Sequence, residues 1–196
     1  MIRVAVVSAF ATMGGSEQWI LGVMEHAGPD LQWRFVVLQE GPFADELRER
    51  GIPVDVVPTG AAPWQIVSSG RQVRQLLASA PPQVIIGNGI KAQLTAMSAA
   101  RSLHVPTVWV KHDHSFDRWL ARPLGRSVTA VVTTASEVGT PTGRRDLVVI
   151  EPPRPPEPLS QTEATDVLID HGWTPTHPTV AMITRLVPDK GVDVAI

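Results

Sequence analysis

Short apolar runs alternate with stretches of helical spacing along most of the chain, and no other feature limits the fold as strongly. Ile2 to Val7 is followed by Trp19, Ile20, Val23, Met24 and Ala27 at helical intervals, ended by Gly28-Pro29. Phe35 to Leu38 precedes a charged helical stretch, Phe43 to Arg50, which Gly51 stops. Val54 to Val57 leads to a helix whose apolar face holds Ile66, Val73, Leu76 and Leu77. Val84 to Ile86, closed by Gly87-Asn88-Gly89, precedes a helix over Ala92 to Leu103. Thr107 to Val110, Val128 to Thr133 and Leu147 to Ile150 complete the series. Continuously apolar runs of this kind suit strands buried on both faces. With helices between them they predict an α/β, doubly wound parallel sheet with right-handed crossovers. Ligands of such sheets sit beyond the carboxyl ends of the strands. The stretches expected there are Gly14-Gly15, Glu40-Gly41, Gly87-Asn88-Gly89 and Lys111-His112-Asp113-His114.

Prolines cluster from Pro152 to Pro158, as in a linker. The expected division is a first, Rossmann-like domain over 1–152, a linker over 153–160 and the opening of a second domain over 161–196. In that last part Glu163 to His171 reads as a helix and Thr179 to Ile183 as a strand, with helical spacing restarting at Val192. So few elements cannot close a core. The piece therefore packs on the first domain or opens a longer protein. A net charge of −2 gives no basic footprint for nucleic acid, and the lack of cysteine excludes disulfides and thiolate sites. The first residues lack the length and cleavage site of a secretory signal, and no apolar run approaches the ~18 residues of a membrane span. The expected location is the cytoplasm, with peripheral membrane contact as an addition to it.

The turn after the first run reads Met13-Gly14-Gly15-Ser16-Glu17. Strand, glycine turn and helix start together floor a pocket with backbone N–H groups, and a helix N-terminus favours an anion such as phosphate. Paired glycines let the backbone approach a ligand closely. Ser16 is expected to cap the helix. An ordinary βα turn is the alternative.

Five stretches, in order, resemble the family-four glycosyltransferases of the GT-B fold, which face two Rossmann-like domains toward each other. GGSEQW resembles their glycine-rich loop, and GPFADELRERGIPVDVV their second helix and third strand. GIKAQLTAMSAARSLHVPTVWVKHDHSF resembles their helix–strand–histidine segment, TTASEV the step before the interdomain linker, and ITRLVPDKGVDVAI the opening of the donor domain. The resemblance covers nearly all of this chain and the first half of a family member. Thr184 replaces a glycine frequent before the family's arginine, and Val149-Ile150-Glu151 replaces its Asn-Gly step. The family's paired-glutamate segment is absent.

The resemblance implies retaining transfer of a sugar from a nucleotide-sugar donor to a glycan, lipid or small-molecule acceptor. The nucleotide sugar is a co-substrate, and no separate cofactor or metal is expected. Breaking the sugar–diphosphate bond builds charge on diphosphate oxygens, which fixed cations stabilise. Arg185 and Lys190, followed by Gly191, offer a planar fork and a point charge for that purpose. The resemblance picks His112 as the residue facing the transferred sugar, and leaves its role open. Gly14, Gly15, Gly87, Asn88 and Lys91 are the expected substrate contacts. His112 with His114 is the alternative metal reading, weak without a third ligand. Asp113 is expected to hold local backbone.

Residues 56–110 carry no acidic side chain but include Arg71, Arg74, Lys91 and Arg101. Trp64, Ile66 and Val67 precede the first two arginines, a pattern suited to an anionic membrane surface. A half-buried helix with solvated arginines is the alternative. Two other functional readings stand beside the transferase. One is a nucleotide-cofactor oxidoreductase with Glu40 on a ribose, although the G-x-G-x-x-G turn is missing. The other is a non-catalytic binding module.

Overall fold

The computed structural model describes residues 1–152, 159–173 and 192. The expected strand over Thr179 to Ile183, and Arg185, Lys190 and Gly191, lie outside them. The chain divides into two compact units, Met1–Pro153 and Arg154–Ile196.

The first unit is built on seven parallel strands: β1 Ile2–Ser8, β2 Leu31–Val37, β3 Val54–Val56, β4 Val84–Asn88, β5 Thr107–Lys111, β6 Ala130–Thr133 and β7 Val148–Val149. Their order in the sheet is β3-β2-β1-β4-β5-β6-β7. The helices between them are α1 Gly15–His26, α2 Pro42–Glu49, α3 Pro63–Ala78, α4 Ile90–Leu103, α5 Arg122–Ser127 and α6 Ser136–Gly139. This is the expected doubly wound, Rossmann-like sheet.

Both faces are covered, which is why the central strands read as unbroken apolar runs. On one face Val6, Phe35 and Val37 pack against Trp19 and Ile20 of α1 and Phe43 and Leu47 of α2. On the other, Val7, Val36 and Ile85 meet Val73 and Leu77 of α3 and Ala92, Ala96 and Ala99 of α4. The small residues let α4 lie close to the sheet.

The boundaries differ from expectation where polarity misleads. β2 begins at Leu31 rather than Phe35, because Leu31 to Arg34 pair in register with Ile2 to Ala5 although Gln32 and Arg34 are polar. β4 runs two residues past Ile86, through Gly87 and Asn88, on pairing with Val7 and Ser8. The turn Asp117–Ala121 is π-helical and continues into α5, neither of which apolar spacing signals.

In the second unit the described helix is α7, Gln161–Asp170. Ser160 caps it: its hydroxyl oxygen accepts from the Glu163 amide, and the Glu163 carboxylate accepts from the Ser160 amide. That reciprocal box satisfies two otherwise free amides.

Candidate functional site

The chain leaves β1 for β2 on one side, while β4 and β5 extend the sheet on the other. Strand order reverses between β1 and β4, so a crevice opens beyond their carboxyl ends. The loops after β1, β4 and β5 converge there.

From the first loop comes α1, whose N-cap is Gly14 with no side-chain cap. Ser16 is thus not the cap expected of it. It lies inside the first turn, and its hydroxyl donates to Glu17 Oε2 at 2.7 Å. Glu17 explains the difference. Its side chain folds back over the end of β1, 1% exposed, and Oε1 accepts from the Ser8 hydroxyl at 3.3 Å. A buried carboxylate needs donors, and the two serines supply them.

From the second loop comes Asn88, itself 1% exposed. Its amide nitrogen donates to Ser8 Oγ at 3.2 Å and to the Ser16 carbonyl at 3.3 Å. Its oxygen lies 2.6 Å from His112 Nε2. Gly89, with φ of +90°, turns the chain into α4, again without a side-chain cap. Gly87 has a packing reason to be glycine, since a Cβ there would meet Gln93. Lys91, in the first turn of α4, donates to the Thr59 carbonyl at 2.5 Å. Burial lowers its pKa, and among the described residues it has no carboxylate partner.

From the third loop come Lys111 and His112. The Lys111 amine, 2% exposed, pairs with Asp117 at 2.7 Å and also donates to the Asp113 carbonyl. Asp113 accepts the Ser115 amide at 2.8 Å and so holds the loop. His114 points to Asp117, at 2.8 Å, while His112 points to Asn88. The two histidines therefore serve different partners. Phe116 sits in the left-handed region at φ of 59°, an unusual conformation for a bulky residue, where the loop enters the π-helical turn.

His112 packs edge-on against Trp19, with ring centroids 5.4 Å apart. The Trp19 indole N–H is fixed on the Ile150 carbonyl at 2.9 Å. Burial pushes the His112 pKa down to about 4, against a smaller opposing pull from Asp113. The folded chain thus refuses a proton that the unfolded chain accepts near pH 6.5. Stability from this group is complete above pH 6.5 and is lost as pH falls toward about 4. Denaturant melts of wild type and His112→Gln across that window are the check. The wild type is expected to lose more stability on acidification, and equal slopes would contradict the depressed value.

Two cavities share His112 as a wall. One, of about 210 Å³, opens among Phe10, Gly89, Lys91, Lys111 and Phe116. The other, of about 350 Å³, opens among Gly15, Ser16, Gln18, Trp19 and Thr134. Phe10 and Phe116 remain 56% and 64% exposed, so the first cavity has an aromatic rim. A larger hollow of about 420 Å³ lies at the opposite end of the strands, but its cations are already engaged. Arg34 pairs with Asp55 at 2.8 Å, and Arg3 donates to the Pro81 carbonyl at 2.9 Å. Glu40 is engaged too, on Arg48 at 2.5 Å.

Sequence reasoning gave no site role to Ser8, Glu17 or Trp19, and named Lys111 only as part of the stretch that follows the fifth apolar run. Only Glu17 and Lys111 left a signal, as charged residues beside apolar runs.

With this geometry in view, the sequence match is decisive. Residues 14–145 match the family described as Glycosyl transferase 4-like domain. The chain belongs to that family. The fold agrees, being that of half a GT-B glycosyltransferase. A structure of Alr3699/HepE from Anabaena, in complex with UDP, is 17% identical with a TM-score of 0.66, covering 87% of this chain and 50% of that one. The lipopolysaccharide outer core galactosyltransferase WaaB, in its apo form, is 16% identical with a TM-score of 0.61, covering 80% and 49%. A UDP-N-acetylglucosamine 2-epimerase is 12% identical with a TM-score of 0.57, covering 76% and 47%. No curated protein matches the sequence. The glycosyl transferase 4-like chain spans about half the length of the solved structures it matches. Among its described residues, no helix is long and apolar enough to cross a membrane.

Proposed function

We propose that this glycosyl transferase 4-like domain is the acceptor half of an enzyme that moves a sugar from a nucleotide-sugar donor to an acceptor, with retention. The observation that carries the reading is the meeting of the glycine turn, Asn88 and His112 at one crevice, inside a domain of this family. In this reading residues 1–152 form the acceptor domain, 153–160 the linker and 161–196 the opening of the donor domain. Gly14 and Gly15 leave the α1 amides open to the substrate, Lys91 meets the acceptor, and His112 faces the transferred sugar. Arg185, Lys190 and Gly191 receive the donor diphosphate. UDP in the Anabaena relative is consistent with a uridine-nucleotide donor. The epimerase likeness means that fold alone does not select transfer, whereas the family match does.

The test compares two forms. The 196-residue chain is expected to show no transfer from a nucleotide sugar, while a chain continued through a complete second domain is expected to show it. Robust turnover by the shorter form would mean that the active site is misassigned. NAD is expected to leave the melting temperature unchanged. A stabilising shift would favour the oxidoreductase reading, which the Glu40–Arg48 pair already weakens.

Peripheral membrane contact draws support from α3. Trp64 and Val67 are 74% and 53% exposed, and Arg71 and Arg74 continue the same helical stripe in solvent. An apolar patch leading into cations suits an anionic bilayer. The chain is expected to sediment with phosphatidylserine-containing vesicles and not with purely phosphatidylcholine ones. Trp64→Ala with Arg71→Glu should abolish the difference, and unchanged sedimentation would discard the contact.

A further inference from the structure

The polar groups beneath His112 form a chain with a single direction. At its far end the Glu17 carboxylate only accepts, taking hydrogens from the Ser8 and Ser16 hydroxyls. The Ser8 hydrogen is thereby directed to Glu17, so Ser8 Oγ presents lone pairs to Asn88. The Ser16 carbonyl, also only an acceptor, faces the same Asn88 nitrogen at 3.3 Å. Two acceptors on one side leave the Asn88 amide a single orientation, with NH₂ toward β1 and α1 and oxygen toward His112. An amide oxygen cannot donate. The 2.6 Å contact therefore requires the hydrogen on His112 Nε2.

We propose that Asn88 is a positioning residue that holds His112 as its neutral Nε2–H tautomer, so that Nδ1 offers a substrate hydroxyl a lone pair rather than a proton. The hydroxyl's identity rests on the transferase reading, whereas the tautomer does not. Three observations agree. Asn88, Ser8 and Glu17 are each at most 1% exposed, so water does not compete for their bonds. The Trp19 edge fixes the ring plane. The depressed pKa keeps the ring neutral across the working range. The charged neighbours are Asp113, which favours protonation, Lys111, already tied to Asp117, and Glu17, three hydrogen bonds away through Asn88 and Ser8. In this arrangement His112 accepts a hydrogen bond from a hydroxyl or takes its proton, and it does not act as an acid.

Long-range proton–nitrogen NMR of the 196-residue chain reads the ring directly. Wild-type His112 is expected to show a pyrrole-type Nε2 and a pyridine-type Nδ1 at neutral pH, with protonation setting in only as pH falls toward about 4. An Nδ1–H form, or a mixture, overturns the proposal. Asn88→Ala is expected to give mixed tautomers, with the remaining amide spectrum preserved. Retention of the single tautomer would overturn the role of Asn88. Should that variant unfold, Asn88→Asp keeps an acceptor opposite Nε2. It is expected to keep the tautomer while raising the midpoint, and loss of the tautomer there also overturns the proposal. Absence of sugar transfer in the continued chain, with the tautomer as expected, would count against the transferase reading alone.

Discussion

Gly87→Ala is expected to cost about 3 kcal/mol of stability or more, at the upper end of what overpacking does. A Cβ at this position would lie 2.5 Å from Gln93 Cα and 2.3 Å from Gln93 Oε1. The side chain of Gln93 can turn aside, but its Cα belongs to the backbone of α4. That helix packs against both the sheet and α3, with Ala92, Ala96 and Ala99 fully buried, so relief requires moving the helix as a body. Gly87 also precedes Asn88, so the same shift would disturb the bonds that reach His112. The control is Gly15→Ala, where a Cβ meets nothing within 4 Å. There stability should hold within a few tenths of a kcal/mol. Urea unfolding of both variants decides the matter. A Gly87→Ala midpoint equal to that of wild type would mean that the close α4–β4 packing is wrong.

In a chain continued through the second domain, Arg185→Ala or Lys190→Ala is expected to lower kcat/KM by about 10²-fold or more, the size of losing one charge contact made in the transition state. The leaving diphosphate gains charge as its bond to the sugar breaks. Arg185→Lys should recover part of the loss, because an ammonium cannot reproduce a fork with two parallel donors. Both variants should fold, as measured by unchanged circular dichroism. Near-normal rates and unchanged nucleotide-diphosphate affinity in both would reduce them to surface charges.

The two sets of residues were legible to different degrees. The glycine turn, Asn88 and His112 could be found because each follows an apolar run, and the carboxyl ends of parallel strands share one rim. Their connections could not. Ser16 looked like a helix cap because serine at a helix start commonly is one, yet Glu17 captured its hydroxyl. Glu17 itself stood in the glycine-turn stretch with nothing to mark it for burial. Its burial depends on Ser8, nine residues earlier, and on Asn88 far along the chain. Lys111 ended a strand and gave no sign of its pairing with Asp117 across the Phe116 turn.

By itself, the sequence determined the layer architecture. Apolar runs of strand length, separated by helical spacing and glycine breaks, leave a parallel sheet covered on both faces as the economical way to bury them. Periodicity is local, and so it survives in one dimension. The strand order was decided only in three dimensions, and with it the β1–β4 crevice. So were the His112–Asn88–Ser8–Glu17 chain, the depressed pKa of His112 and the requirement for glycine at position 87. Each depends on groups that the sequence separates and the sheet brings into contact, where burial makes an unmet donor or a surplus atom costly.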